Sequence, residues 1–98
     1  MHDRLETLRR EIDGLDTQLI TLFEKRLTLC ESIGAAKREA GLPTLDASRE
    51  RAVIERCLAY VDKPRHQPYV ERFARAMIDL CREYQQREAP HTNGKGEA

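Results

Sequence analysis

"LETLRREIDGLDTQLITL", residues 5–22, places Leu5, Leu8, Ile12, Leu15, Leu19 and Leu22 at alternating steps of three and four. That spacing is the seam of an amphipathic helix whose apolar stripe meets another helix. Continuing the same steps reaches Arg26, Leu29, Ile33 and Ala36, so the seam contains an arginine. The periodicity predicts one helix from about residue 3 to about residue 40, where Gly41 can take a left-handed cap and Pro43 forbids continuation. At 1.5 Å per residue it would be about 55 Å long, more than a domain of this size covers by itself. Such a helix calls for a partner chain.

Two shorter helices follow. The second is expected to begin near Asp46 or Ser48, either of which can cap it, with Ile54, Cys57, Leu58 and Val61 as its inner stripe. "KPRHQP", residues 63–68, ends it. The third starts after Pro68, carries Val70, Phe73, Ala74, Met77, Ile78, Cys81 and Tyr84 on one side, and reaches about Arg87. From Glu88 on, "EAPHTNGKGEA" is polar and broken by Pro90 and two glycines, the composition of a disordered tail. The expected organisation is all-α, with three helices per chain, a long first helix, a domain over residues 1–87 and a tail over 88–98.

The totals agree with this. Ninety-eight residues make about one small domain with a modest core, which oligomerisation would help. Seventeen Lys and Arg balance seventeen Asp and Glu, so no basic field exists to attract nucleic acid or anionic lipid, and neither is an expected partner. At 35% charged and 40% hydrophobic, with no Trp, the composition suits amphipathic helices better than a β-sandwich. The N-terminus is charged from its third residue, and no apolar run approaches the roughly 20 residues of a membrane span, so a cytoplasmic protein is expected. Cys30, Cys57 and Cys81 are odd in number, far apart and without a C-x-x-C pair. They read as buried small hydrophobes rather than a disulfide framework or zinc site. His2, His66 and His91 are scattered, and no metal and no cofactor are expected.

Polar residues stand where apolar ones belong. Arg26 and Lys37 are eleven positions apart, which leaves only about 20° of rotation, so both leave the same helix face, roughly 16 Å apart along the axis. They could bracket a small dianion. Arg9 lies about 100° round the helix and some 25 Å from Arg26, so it joins such a site only from another chain. Gln85 continues the stripe of Ala74, Ile78 and Cys81, and Glu50 stands in the same relation to Ile54, Cys57 and Val61. An arginine, a lysine and a glutamine facing inward suggest space kept for a ligand, because buried charge is costly unless paired. Each residue also has a plainer explanation. Arg26 suits a seam charge that snorkels outward or pairs across a dimer. Lys37 at a helix end, and Asp46 and Glu50 at a helix start, suit the helix dipole. Arg9 suits a solvated charge, and Gln85 lies near a fraying end. What these do not explain is all of them together.

Together, "LRREIDGLD" at 8–16, "KRLTLCESIGAAK" at 25–37, "DASRE" at 46–50 and "YQQ" at 84–86 resemble the small all-helical chorismate mutases of the AroQ class. The resemblance covers about residues 5–87. It implies an intertwined homodimer in which each long first helix spans both active sites. Carried over by position, it implies Arg9 lent across the dimer and Arg26 from the same chain, both binding substrate carboxylates. It implies Lys37 and Gln85 as hydrogen-bond donors to the ether oxygen of the breaking bond. Asp46, Arg49 and Glu50 match the loop and helix start that close over the ring, with Glu50 placed for the ring hydroxyl. Cys81 departs from the pattern, standing where some members have a serine touching a carboxylate. With no second catalytic domain following within these residues, a free-standing mutase is expected.

The implied reaction is the concerted rearrangement of chorismate to prephenate, with no cofactor and a small dianion as the binding partner. Three other readings compete. The scaffold also resembles isochorismate-pyruvate lyases, though the D-x-x-R-E wall at 46–50 favours the mutase. A mutase for 4-amino-4-deoxychorismate differs by one ring substituent, which Asp46 or Glu50 could meet. A non-catalytic helical dimer acting as a binding module would need the seam alone.

Overall fold

The computed structural model describes residues 2–89, and the expected tail lies outside them from residue 90 on. The order is α1 (His2–Ala40), α2 (Ala47–Ala59), a 3-10 turn (Pro64–His66) and α3 (Gln67–Arg87). There is no strand among the described residues. None of these helices is long and apolar enough to cross a membrane.

The boundaries follow from local chemistry. Asp3 stands in the first turn of α1 and Lys37 and Arg38 in its last, each complementing the helix dipole. Gly41 adopts φ 71°, the left-handed region that a side chain disfavours. Its N–H donates to the Arg38 carbonyl at 3.1 Å, and the Leu42 N–H donates to the Lys37 carbonyl at 2.8 Å. This pair of bonds is the Schellman stop, which satisfies carbonyls the helix leaves open. Of the two caps the sequence offers, Asp46 takes the position, its Oδ1 accepting from the Arg49 N–H at 3.0 Å. Pro68 falls within the first turn of α3, where its missing N–H has no helical partner to lose. The helix therefore begins at Gln67, just ahead of the start expected from the proline.

Among the described residues, α3 packs against both α1 and α2, while α1 and α2 do not pack on each other. The core is small: Cys30, Val53, Ala74 and Ile78 are its buried apolar residues. Val53 is more deeply buried than the stripe of Ile54, Cys57, Leu58 and Val61 expected for α2, and Phe73 lies exposed rather than inward. Among the described helices α2 packs on α3 alone, so the face around Val53 is the one covered. Tyr84 ties α3 to α1 by donating its hydroxyl to Glu31 at 3.4 Å. Its phenol is pushed up from the ordinary value by desolvation, then by the charges of Glu31 and Glu88 and the bond to Glu31, so it stays a donor through neutral pH.

The long seam finds no cover within the chain. Leu5, Leu8, Ile12, Leu15, Leu19 and Leu22 are all exposed, the last at 61%. The molecule measures 61 × 30 × 15 Å, with a radius of gyration of 18.0 Å, against about 13 Å for a compact domain of this length.

Replacing Gly41 by alanine forces a side chain into a left-handed position. The expected loss is about 1–2 kcal/mol of unfolding free energy, measured by urea titration followed by circular dichroism; an unchanged midpoint would count against the Schellman assignment.

Candidate active site

Because α3 holds α1 and α2 apart, a cleft opens between those two helices with α3 as its floor. It encloses about 260 Å³, room for one small molecule. Leu29, Cys30 and Ile33 of α1, Val53 of α2 and Ile78 of α3 form its apolar lining. Arg26 and Lys37 enter from α1, Thr44 and Asp46 from the loop, Arg49, Glu50 and Arg56 from α2, and Cys81, Arg82 and Gln85 from α3. Five cations face two carboxylates, so the cleft carries a surplus of three formal positive charges in a chain whose net charge is zero. A focused field of that sign favours an anion.

Gln85 is buried, with 5% of its surface exposed, as its place in the α3 stripe predicts. Its Nε2 donates to the Cys30 carbonyl at 2.9 Å, which uses one of its two N–H groups. Gly34 makes this approach possible: a Cβ there would stand 3.2 Å from Gln85 Cγ. Lys37 is half-buried, and its Nζ donates to the Thr44 carbonyl at 2.7 Å. That bond folds the 41–46 loop back over the end of α1 and leaves two ammonium protons unused. Arg26 Nη1 lies 3.8 Å from Cys30 Sγ, which keeps the guanidinium along the cleft wall. Glu50 is engaged on both oxygens, by Arg75 Nη1 at 3.2 Å and Arg82 Nη1 at 3.1 Å. Arg82 in turn meets Asp79 at 2.9 Å.

Of the residues singled out in the sequence, the fold thus brings together Arg26, Lys37, Asp46, Arg49, Glu50, Cys81 and Gln85. Arg9 is not among them. It lies far along α1, exposed and, among the described residues, paired only with Glu6 at 3.4 Å.

Residues 8–86 match the family model described as chorismate mutase type II. The chain belongs to the type II chorismate mutase family. A 53-residue stretch is 45% identical to the T-protein of Haemophilus influenzae, covering 54% of this chain and 14% of that protein. Over 52 residues the chain is 42% identical to the intracellular chorismate mutase of Mycobacterium tuberculosis, covering 53% of this chain and 50% of that one. It therefore spans at most about half the length of these curated relatives. A solved structure, a conserved hypothetical protein from Pyrococcus furiosus, superposes with a TM-score of 0.66 at 33% identity, over 83% of this chain and 93% of that one.

Two residues of this type II chorismate mutase cleft escape a reading of the sequence. Arg82 lies between Ile78 and Gln85 at offsets of four and three, and Arg56 follows Val53 by three, so both share the inner face of their helices. The signal was the helical offset. What hid it is that arginines at such positions usually reach solvent.

The cysteines require a correction. Cys30 and Cys81 are joined in a disulfide across α1 and α3, with Cα atoms 5.9 Å apart, and only Cys57 is free. They are not simply buried small hydrophobes. The sequence separation of 51 gave no hint of pairing, because the packing of α3 on α1 creates the proximity. Bridged, Cys81 also has no S–H to offer a ligand. Cutting the bridge with reductant is expected to cost about 2–4 kcal/mol of unfolding free energy, and Cys81→Ser should reproduce the effect. Thermal unfolding with and without reductant measures it; equal midpoints would show that the bridge contributes nothing.

Proposed function

We propose that this chain is a chorismate mutase, converting chorismate to prephenate in a cleft completed by a second copy of itself. The observation that carries the reading is the pair Lys37 and Gln85. Each is anchored by one hydrogen bond to a backbone carbonyl, each keeps at least one N–H unused, and both line the cleft that holds Arg26.

The chemistry suits such a site. In the rearrangement the ether C–O bond breaks while a C–C bond forms between the ends of the same molecule, with no net proton transfer. The protein's first task is to hold a flexible dianion in its compact, chair-like conformer. Planar guanidinium forks do this by clamping carboxylates, and Arg26 supplies one of them. The second task is electrostatic. Negative charge gathers on the ether oxygen as the bond breaks, and donors already fixed in place stabilise that charge without reorganising. Lys37 and Gln85 take this role. Asp46, Arg49 and Glu50 close the ring side, Glu50 accepting from the ring hydroxyl, while Cys81 forms wall.

The second copy is supported by what one chain leaves open. The Leu5 to Leu22 stripe of α1 is exposed along its length, and the buried core among the described residues is four apolar side chains. An antiparallel α1 from a partner would cover the stripe and bring that partner's Arg9 to the cleft, giving the intertwined homodimer. Residues 1–87 form the catalytic unit. The intracellular relative supports a cytoplasmic location.

Two experiments test this reading. Purified protein given chorismate is expected to yield prephenate by chromatography with mass detection, and Lys37→Ala should lower kcat by about 10²–10³-fold with an unchanged circular dichroism spectrum. No prephenate from the unmodified protein would overturn the proposal. Arg9→Ala and Arg26→Ala are each expected to be nearly inactive alone. Mixed under subunit exchange they should regain up to about a quarter of wild-type activity, since half the dimers carry one intact site; no recovery after verified exchange would refute the shared site.

A further inference from the structure

Arg82 has no part in the mechanism just described, yet it lines the cleft beside Gln85 and holds Glu50. Resting on the mutase reading, we infer that Arg82, with Arg75 behind it, is a positioning residue that makes Glu50 select a neutral hydroxyl rather than an ammonium group on the substrate ring.

The argument starts from geometry. Glu50 is the carboxylate placed for the ring substituent, and its side chain is only 16% exposed. Its Oε1 receives Arg75 and its Oε2 receives Arg82, so the carboxylate cannot rotate without breaking one of two ion pairs. Asp79, one turn along α3 from Arg75, braces both guanidiniums, at 2.9 Å from Arg82 and 3.9 Å from Arg75. Two carboxylates and two guanidiniums make a neutral network joining α2 to α3. Each Glu50 oxygen retains a lone pair, so the group can still accept a hydrogen bond from a hydroxyl.

Charge decides what that lone pair prefers. A free carboxylate facing the ring would attract an ammonium far more than a hydroxyl. Here two guanidiniums within about 3 Å already compensate Glu50, and Arg26, Arg49, Arg56 and Lys37 add positive charge around the cleft. A ring ammonium, the form an aliphatic amine takes near neutral pH, would face like charge, and the cleft's other carboxylate, Asp46, already spends its Oδ1 on the Arg49 N–H that it caps. Like-charge juxtaposition of this kind is how a site rejects a near-isostere. The ring hydroxyl bears no such cost, so the site favours chorismate over its 4-amino-4-deoxy analogue.

The test compares kcat/KM for those two compounds in wild type, Arg82→Met, Arg82→Lys and Arg75→Met. Wild type is expected to prefer chorismate. Arg82→Met should shift the amino-to-hydroxyl ratio by about tenfold toward the amine, Arg82→Lys should restore it, and Arg75→Met, at a more exposed position, should shift it less in the same direction. A merely structural loss would lower both rates and leave the ratio unmoved. Should Arg82→Met fail to fold, Arg75→Met still reads the shift. An active wild type with a constant ratio across folded variants overturns this inference alone; a wild type inactive on both compounds overturns the mutase reading and this inference with it.

Discussion

A buried amide without a partner is costly, and Gln85 finds its partner in the backbone of another helix. The Cys30 carbonyl, which in a helix already accepts from the amide four residues on, uses its second lone pair for Gln85. The approach depends on Gly34, whose missing Cβ gives the Gln85 side chain its space. The Cys30–Cys81 bridge lies at the same contact. These features set where α3 sits on α1, and α2 reaches the assembly only through α3. The cleft is thus a product of one helix–helix contact, since a shift of α3 along α1 would move Gln85, Cys81 and Arg82 together.

The cleft's polar groups are held rather than merely present. Lys37 is tied to the Thr44 carbonyl, Gln85 to the Cys30 carbonyl and Glu50 to two arginines. In each case the anchoring interaction consumes part of the side chain's hydrogen-bonding capacity and leaves part facing the cleft. Preorganisation of this kind is what a reaction without covalent catalysis requires, because stabilisation then comes from groups that need not move. Three charged residues thereby serve twice: Asp46 caps α2, Lys37 pins the loop, Glu50 joins α2 to α3, and all three also face the cleft.

Most of the fold was legible in the chain. The three-and-four spacing from Leu5 to Leu22 gave α1, and Gly41, Pro43 and Asp46 marked where it stops and α2 starts, because capping and periodicity act within a few residues of sequence. The inward turn of Gln85 and the shared face of Arg26 and Lys37 followed from helical offsets alone. The role of Arg9 came from the family resemblance; the offset alone says that Arg9 joins such a site only from another chain.

Other features depend on residues far apart in the chain. The Cys30–Cys81 bridge and the pairing of Glu50 with Arg75 and Arg82 join α1 or α2 to α3 across 25 to 51 positions. Helical spacing says which face a side chain leaves from, but not which other helix lies opposite. By itself the sequence determined three helices, their ends and the face each polar residue occupies, since those are set by backbone hydrogen bonding and side-chain spacing within a turn or two. Only the tertiary structure decided that α3 separates α1 from α2, that two distant cysteines meet and that Glu50 is neutralised, since these depend on the rotation and register at which one helix docks on another.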